Sequence, residues 1–119
     1  MRDQDTTLTN LRDLLRQFNE EREWAQYHSP RNLAMALSVE AGELLELYLW
    51  SADQGPQPPV ESRQPKVADE AADVMICLLN FCDRAGVDLA AAVERKVERN
   101  RSRYPVDLAR GRLEKSTEL

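Results

Sequence analysis

The sequence predicts an all-α protein built as a four-helix bundle. Only four of the 119 residues are glycine, and hydrophobic residues make up 42% of the chain. Apolar residues recur over long stretches with the 3.6-residue period of amphipathic helices, not with the alternation of strands. A chain of this length forms one domain with a substantial core. We assign residues 1–105 to the helical domain and residues 106–119 to a polar C-terminal tail.

Helix caps and helix breakers divide the domain into four predicted helices. They span residues 7–24, 30–50, 66–84 and 89–103. The apolar residues of the first helix predict its core face: Leu8, Leu11, Leu14, Leu15 and Phe18. Thr7, Ser29 and Asp88 are suitable N-terminal caps, and Pro30 fits the first position of the second helix. The proline-rich stretch 51–65 predicts a loop, because proline interrupts helical hydrogen bonding. Gly86 ends the third helix, and Tyr104-Pro105 ends the fourth.

Two pairs of acidic residues lie on apolar helices: Glu40 and Glu43 on the second, and Glu70 and Asp73 on the third. A spacing of three places both members of a pair on one helical face, with Cβ atoms about 5–6 Å apart. If the pairs face each other, like charges about 4 Å apart repel by roughly 4 kcal/mol at an effective dielectric constant near 20. A divalent cation would relieve this repulsion. Oxygen ligands without a His/Cys set favour Mg²⁺ or Mn²⁺ over zinc.

Other interpretations of these acids remain open. A chain with 21 acidic residues can form solvent-facing acid clusters by chance, although the apolar neighbours of both pairs favour a core-facing site. Because Mg²⁺ usually takes one or two protein carboxylates, four acids indicate two ions, or one ion and a general base. Glu46 is either an outer candidate for that base or a solvated residue.

The net charge and the hydropathy of the chain indicate which kinds of partner it is expected to bind. The net charge of −5 disfavours nucleic acid. The sequence shows no amino-terminal signal segment and no apolar run near 20 residues, so we expect a cytoplasmic protein without a membrane partner.

Cys77 and Cys82 lie on one predicted helix and are interpreted as free thiols. The second and third helices are apolar nearly all round, which predicts a homo-oligomer, a dimer or a tetramer. Alternatively, the remaining segments cover them within one subunit.

The fourth predicted helix carries a local positive charge. Five basic and two acidic residues give 94–103 a charge of +3: Glu94, Arg95, Lys96, Glu98, Arg99, Arg101 and Arg103. This charge suits a triphosphate. Lys96 lies between Val93 and Val97, so an apolar stripe can orient it inward, whereas Arg95 and Arg99 are expected to be solvated or paired.

Two tryptophans and the single histidine are candidate nucleoside contacts. Trp24 and Trp50 each lie at the end of a predicted helix, where an indole can stack on a base or simply cap the core. His28 is either a nucleotide contact or a loop residue hydrogen-bonded to backbone, and alone it cannot build a zinc site.

The acid pairs and their flanking blocks resemble the MazG-like all-α nucleoside triphosphate pyrophosphohydrolases, and specifically the dCTP pyrophosphatase type. The blocks are Trp24-Ala-Gln-Tyr-His28, Glu40-Ala-Gly-Glu43, Glu70-Ala-Ala-Asp73 and Lys96-Val-Glu-Arg-Asn100-Arg-Ser-Arg103. The resemblance implies hydrolysis of a nucleoside triphosphate, dCTP first, between the α and β phosphates to the monophosphate and pyrophosphate.

The resemblance also implies a role for each matching residue. The four acids would hold magnesium, Trp24, His28 and Trp50 would contact the nucleoside, and Lys96 and Asn100 would reach the phosphates and sugar, with Arg103 in the same block. The sequence departs from the group at Cys77, where tyrosine is common, and at Leu15, where some members have histidine. Both departures bear on the preferred base.

Two other functional classes share part of this pattern. A ferritin-like di-metal oxidase also buries carboxylates in a bundle, but it needs Glu-x-x-His pairs, and the sequence has none. A non-catalytic helical adaptor or nucleotide-binding protein would use the apolar faces for a partner. An adaptor should bind neither Mg²⁺ nor nucleotide.

Overall fold

The computed structural model describes residues 1–49 and 60–119. Its helices are α1 (Leu8–Glu21), α2 (Pro30–Glu46), α3 (Val60–Ala85), α4 (Leu89–Arg103) and the short α5 (Val106–Ala109). The described ranges contain no strand, so the all-α prediction is confirmed. The chain divides into two compact units, Met1–Gly86 and Val87–Leu119. Each unit is described by itself.

Helix α1 begins at the predicted cap and ends earlier than predicted. The Asn10 backbone N–H donates to the Thr7 hydroxyl at 3.1 Å, and the Thr7 N–H donates to the Asn10 side chain at 2.9 Å. The helix stops at Glu21, not at Trp24, because Glu23 takes a left-handed conformation with φ of 54° that a helix cannot contain. A 3₁₀ turn follows at Trp24–Tyr27.

Helix α2 begins at Pro30 as predicted and ends at Glu46, short of the predicted Trp50. The Ser29 hydroxyl accepts from the Asn32 backbone N–H at 3.1 Å, which confirms the cap. After Glu46 the backbone tightens: the Leu49 N–H donates to the Glu46 carbonyl, three residues back, at 3.1 Å. Trp50 lies outside the described residues.

Helix α3 begins at Val60, six residues before the predicted start, and contains Pro65. The prediction that 51–65 is entirely loop was therefore wrong for 60–65. A proline inside a helix removes one backbone hydrogen bond and crowds the preceding turn, but the helix continues through it. Residues 51–59 lie outside the described residues. The helix ends at Ala85, and Gly86 follows with a φ of 69°, as the glycine signal predicted.

The second unit starts at the predicted cap. The Ala91 N–H donates to the Asp88 carboxylate at 3.0 Å, and α4 ends at Arg103 as predicted. Within 106–119, where the sequence shows no strong pattern, the chain forms α5 and a 3₁₀ turn at Ser116–Glu118.

The core of the first unit lies where α2 packs along α3, and α1 also packs against α3. Leu33, Leu79 and Cys82 are buried. Leu14 and Phe18, predicted for the core face of α1, are 50% and 43% exposed, so that prediction was wrong for these two residues. In the described part of the chain, no helix is long and apolar enough to cross a membrane.

Candidate active site

Three carboxylates meet between α2 and α3. Glu40 and Glu43 project from α2 and Glu70 from α3, and one oxygen of each lies within 4.8 Å of the others. We call these three residues the acid cluster. Glu40 and Glu70 are half-buried, whereas Glu43 is exposed. The two predicted pairs thus face each other across the helix interface.

Two oxygens of the acid cluster lack donors. Glu40 Oε2 and Glu70 Oε2 are buried and have no hydrogen-bond partner among the described residues. A buried carboxylate oxygen without a donor or cation is costly, because its hydration has been lost. Hard oxygen ligands converging from two helices, two of them without donors, fit a divalent cation such as Mg²⁺. A cation there would supply the charge that the surrounding protein groups do not.

Burial and the crowding of negative charges raise the pKa of two residues of the acid cluster, Glu40 and Glu70. Partial burial raises the pKa of Glu40, and hydrogen bonding to Glu43 and the negative charges of Glu43, Asp73 and Glu70 raise it further. Burial likewise raises the pKa of Glu70, with added contributions from Glu43 and Asp73. Asp73 is half-buried and acts on both glutamates through its charge. Asp73 thus adds to the negative charge around the acid cluster, although its oxygens are not among the three that converge.

A cavity of about 410 Å³ lies one helical turn from the acid cluster. Leu33 and Ala36 of α2 line it and precede Glu40 on the same face; Cys77 and Asn80 of α3 line it and follow Asp73. Both helices therefore run from the carboxylates directly into the cavity wall. We call this space the aromatic cavity, because Phe18, Trp24 and Tyr27 also line it.

The turn after α1 positions Trp24. Glu23 takes a left-handed conformation directly before Trp24, and the Trp24 ring meets the Phe18 ring edge to face, with centroids 5.6 Å apart. The Arg22 guanidinium lies 3.7 Å from the centre of the Phe18 ring and donates to the Phe18 carbonyl at 2.9 Å. Phe18 is thus contacted by both a cation and a ring, and Trp24 remains 44% exposed. A partly exposed indole held this way offers a face for stacking.

The two departures from the family pattern both lie in the aromatic cavity, because Leu15 and Cys77 line it. Burial raises the pKa of the Cys77 thiol, and the charges of Glu40 and Asp73 raise it further. The thiol therefore remains protonated at neutral pH and forms a neutral wall next to the carboxylates. The prediction that Cys77 and Cys82 are free thiols is confirmed.

The structure shows fewer contacts for the other predicted binding residues. His28 lines the aromatic cavity with Trp24. Lys96, Asn100 and Arg103 lie on α4, in the second unit; Lys96 and Arg103 are exposed, and Asn100 is half-buried. Their contacts with substrate remain a prediction, as do those of Trp50, which lies outside the described residues.

Several residues of the aromatic cavity are not predicted as binding residues by the sequence pattern. Phe18 had been interpreted as core, and Asn19, Tyr27 and Asn32 had no assigned role. Asn80 was on the same α3 stripe as Glu70, Asp73 and Cys77 and could have been found by following that stripe. No comparable signal identifies Asn19, because its place in the wall depends on how α1 packs against α3.

The chain is similar to several known proteins. A model of the MazG-like family matches residues 35–119. The dCTP pyrophosphatase 1 of Rattus norvegicus is 44% identical over 119 residues, which cover 97% of this chain and 69% of that protein. The Homo sapiens protein of the same name is 44% identical over 117 residues, with the same coverage of 97% and 69%. Among solved structures, a pyrophosphatase from Archaeoglobus fulgidus is 37% identical with a TM-score of 0.74, covering 88% of this chain and 98% of that one.

Proposed function

Because the chain belongs to the MazG-like family, we propose that it is a deoxynucleoside triphosphate pyrophosphohydrolase that converts dCTP and water into dCMP and pyrophosphate. The relatives named dCTP pyrophosphatase 1 and the solved pyrophosphatase support this reaction. One structural observation carries it: three converging carboxylates lie one helical turn from an aromatic-lined cavity of about 410 Å³. A triphosphate can occupy the charged end while its base enters the cavity.

In this proposal the acid cluster and Asp73 hold Mg²⁺, for which Mn²⁺ can substitute. When bound, the cation would neutralise charge on the phosphate oxygens during cleavage. The two buried carboxylate oxygens without donors support Glu40 and Glu70 as ligands. A carboxylate oxygen that does not engage the cation can accept the proton of the attacking water.

The nucleoside would bind in the aromatic cavity. Trp24 offers its ring face to the base, and His28 can donate or accept a hydrogen bond there. By the family resemblance, Trp50 contributes a second ring, Lys96 and Asn100 reach the phosphates and sugar, and Arg103 binds nearby. Lys96 and Asn100 lie one turn apart on α4, so they can act on the same ligand.

We also propose that the cytoplasmic protein works as a dimer or tetramer. Met35, Val39 and Leu45 of α2 are 57%, 60% and 69% exposed in the single chain, and a second copy would cover them. Leu45→Glu should shift light scattering toward the 13.6 kDa monomer. The matched control, Gln17→Glu on the exposed side of α1, should leave the assembly unchanged. A wild-type protein that already scatters as a monomer at micromolar concentration would contradict the proposal.

The reaction is tested by incubating the protein with each common nucleoside triphosphate and Mg²⁺, while pyrophosphate and orthophosphate are measured separately. Pyrophosphate should be the first product, with dCTP the preferred substrate and dUTP second. Orthophosphate as the first product would place the cleavage at the γ phosphate and overturn the proposal. If the protein binds neither Mg²⁺ nor nucleotide in a titration, the adaptor alternative is favoured.

A further inference from the structure

Two asparagines form a hydrogen-bonded pair in the wall of the aromatic cavity. Asn19 of α1 donates through its side-chain nitrogen to the side-chain oxygen of Asn80 of α3 at 3.1 Å, and both side chains are half-buried. Both line the cavity. We call these residues the amide pair. It is the contact at which α1 and α3 present polar groups to an otherwise largely apolar space.

The amide pair retains hydrogen-bonding capacity. Its internal bond uses one N–H of Asn19 and one lone pair of Asn80. Among the described residues, no other hydrogen bond involves the side-chain oxygen of Asn19 or the side-chain nitrogen of Asn80. Asn32, another amide of the cavity, instead donates to the Tyr27 carbonyl at 3.0 Å and holds the turn in place. The amide pair therefore presents an acceptor beside a donor that no described protein group uses.

The amide pair is also held in position. Arg16, one turn before Asn19, forms an ion pair with Asp83, which lies one turn after Asn80; the Arg16 Nε lies 3.0 Å and 3.1 Å from the two carboxylate oxygens. This ion pair links α1 to α3 next to the amides. A second cavity of about 220 Å³ lies behind, lined by Arg16 and Asp83 and again by Asn19, Asn80 and His28. The amide pair thus separates an aromatic space from a charged one.

We infer that Asn19 and Asn80 determine base specificity by reading the hydrogen-bonding edge of cytosine. The inference rests on the proposed dCTP hydrolysis and names the residues that select the base. The Asn19 oxygen accepts from the 4-amino group of the base, and the Asn80 nitrogen donates to the neighbouring ring nitrogen N3. Asparagine side chains make this kind of paired contact with base edges, where a donor adjoins an acceptor.

A substrate lacking the 4-amino group tests this contact directly. The analogue is the 2′-deoxyribosyl triphosphate of 2-pyrimidinone, which keeps the ring, sugar and phosphates of dCTP. kcat/KM is measured for dCTP and for the analogue with the wild type, Asn80→Leu and Asn19→Leu. Gln17→Leu is the matched control, because Gln17 lies on the same helix and pairs instead with Glu21, outside the cavity.

The wild type should prefer dCTP over the analogue by about 5-fold to 150-fold, the range that a paired base-edge contact supplies. In Asn80→Leu and Asn19→Leu this preference should fall to about 2-fold or less, since the amino group then has no partner to lose. Gln17→Leu should retain the wild-type preference. The measured quantity is the ratio of kcat/KM for dCTP to kcat/KM for the analogue, so a general loss of activity does not affect it.

Two results would overturn the inference. If the leucine variants keep the wild-type preference, the amide pair only joins α1 to α3. If the wild type shows no preference, the cavity does not read the 4-amino group. Should a leucine variant fail to fold by circular dichroism, Asn80→Ser and Asn19→Ser shorten the side chain and provide the same comparison. A wild type that releases no pyrophosphate from dCTP would instead refute the proposed function itself, and the inference with it.

Discussion

The acid cluster and the aromatic cavity lie one helical turn apart on the same two helices, yet their chemistry is opposite. The cluster collects carboxylates, and their burial, together with their mutual repulsion, raises the pKa of Glu40 and Glu70. The cavity contains rings, amides and a thiol that stays neutral. In the proposed function, a continuous pair of helix faces thus offers carboxylates for the cation that binds the triphosphate at one level and a neutral surface for the base at the next. Substitutions in the cluster should therefore change the rate for every substrate, whereas substitutions in the cavity should change the ranking of substrates.

The largest effect is expected in the cluster, from Glu70→Gln. The amide preserves shape but removes the charge and an anionic ligand, so kcat/KM should fall at least about 100-fold, because even the outer partners of metal ligands are worth 10–100-fold. The loss should be equal for dCTP and dUTP. Steady-state pyrophosphate release with both substrates measures it.

The matched control is Asp69→Asn, which removes the neighbouring, exposed charge that acts on Glu70. Its activity should remain within about twofold of the wild type, since an exposed charge is weakened by solvent and salt and Asp69 is not a proposed ligand of the cation. If both variants lose activity equally, net charge near the cluster matters rather than ligation. A Glu70→Gln enzyme that remains active at low Mg²⁺ would remove Glu70 from the site.

The next effect belongs to the cavity, from Trp24→Ala. Stacking of a base on an aromatic ring is worth about 1–3 kcal/mol, so KM for dCTP should rise about 5-fold to 150-fold while kcat changes little. Trp24→Phe should recover part of the loss, because it retains a ring beside Phe18. Initial rates over a range of dCTP concentrations separate KM from kcat. A fall in kcat with unchanged KM would mean that Trp24 acts on the cluster and would remove the distinction between the two regions.

The pH dependence of stability tests the crowding of carboxylates in the acid cluster, and it needs no substrate. In the folded, metal-free protein the pKa values of Glu40 and Glu70 are raised above the ordinary 4.5. Below the ordinary value both folded and unfolded states are protonated. As pH rises through 4.5 and then through the raised folded values, the unfolded state ionises first, so these groups reduce stability with increasing pH.

Thermal unfolding in a chelator, from about pH 4 to about pH 8, measures this effect. The wild type should lose Tm relative to Glu40→Gln as pH rises, and Mg²⁺ should restore the wild type but not the variant to the same degree. Asp83 and Glu114, whose pKa values are lowered, contribute in the opposite direction and cancel in the comparison. Parallel Tm curves for the two proteins would show that crowding of the carboxylates has no energetic consequence.

The cluster could be predicted from sequence, and the cavity only in part, for a physical reason. Glu40, Glu43 and Glu70 are placed by helical periodicity and by the packing of two apolar helices, both of which depend on local spacing. The cavity needs a third element. Phe18 and Asn19 line it because α1 packs on α3, whereas Trp24 and Tyr27 line it from the turn that follows the left-handed Glu23. Neither feature follows from a periodic pattern, since glutamate rarely takes positive φ.

The helix boundaries show the same limit. The caps at Thr7, Ser29 and Asp88 were predicted because a cap is a local hydrogen bond between neighbours in sequence. The start of α3 was not, because Pro65 signals a break that the helix passes through. The exposure of Phe18 was also missed: apolar character predicts a core position, but a binding cavity requires the same apolar surface.

The smallest expected effect lies at the edge of the cavity, from Asp83→Asn. This substitution removes the ion pair with Arg16, whose side chain is 54% exposed, while that of Asp83 is 22% exposed. Exposed ion pairs stabilise a fold by about 0–1 kcal/mol, so the free energy of unfolding should fall by no more than about 1 kcal/mol. The pKa of Asp83 is lowered by its hydrogen bond to Arg16. Its contribution is therefore present at neutral pH and is lost as pH falls through the lowered value, when the carboxylate is protonated. Urea unfolding at neutral and acidic pH measures the loss.

The same substitution should have little effect on activity. Because the ion pair only supports the amides, the preference for dCTP over dUTP should weaken slightly and kcat should not change. A loss of kcat/KM as large as that of Glu70→Gln would place Asp83 within the reaction site and remove the distinction between cluster and cavity.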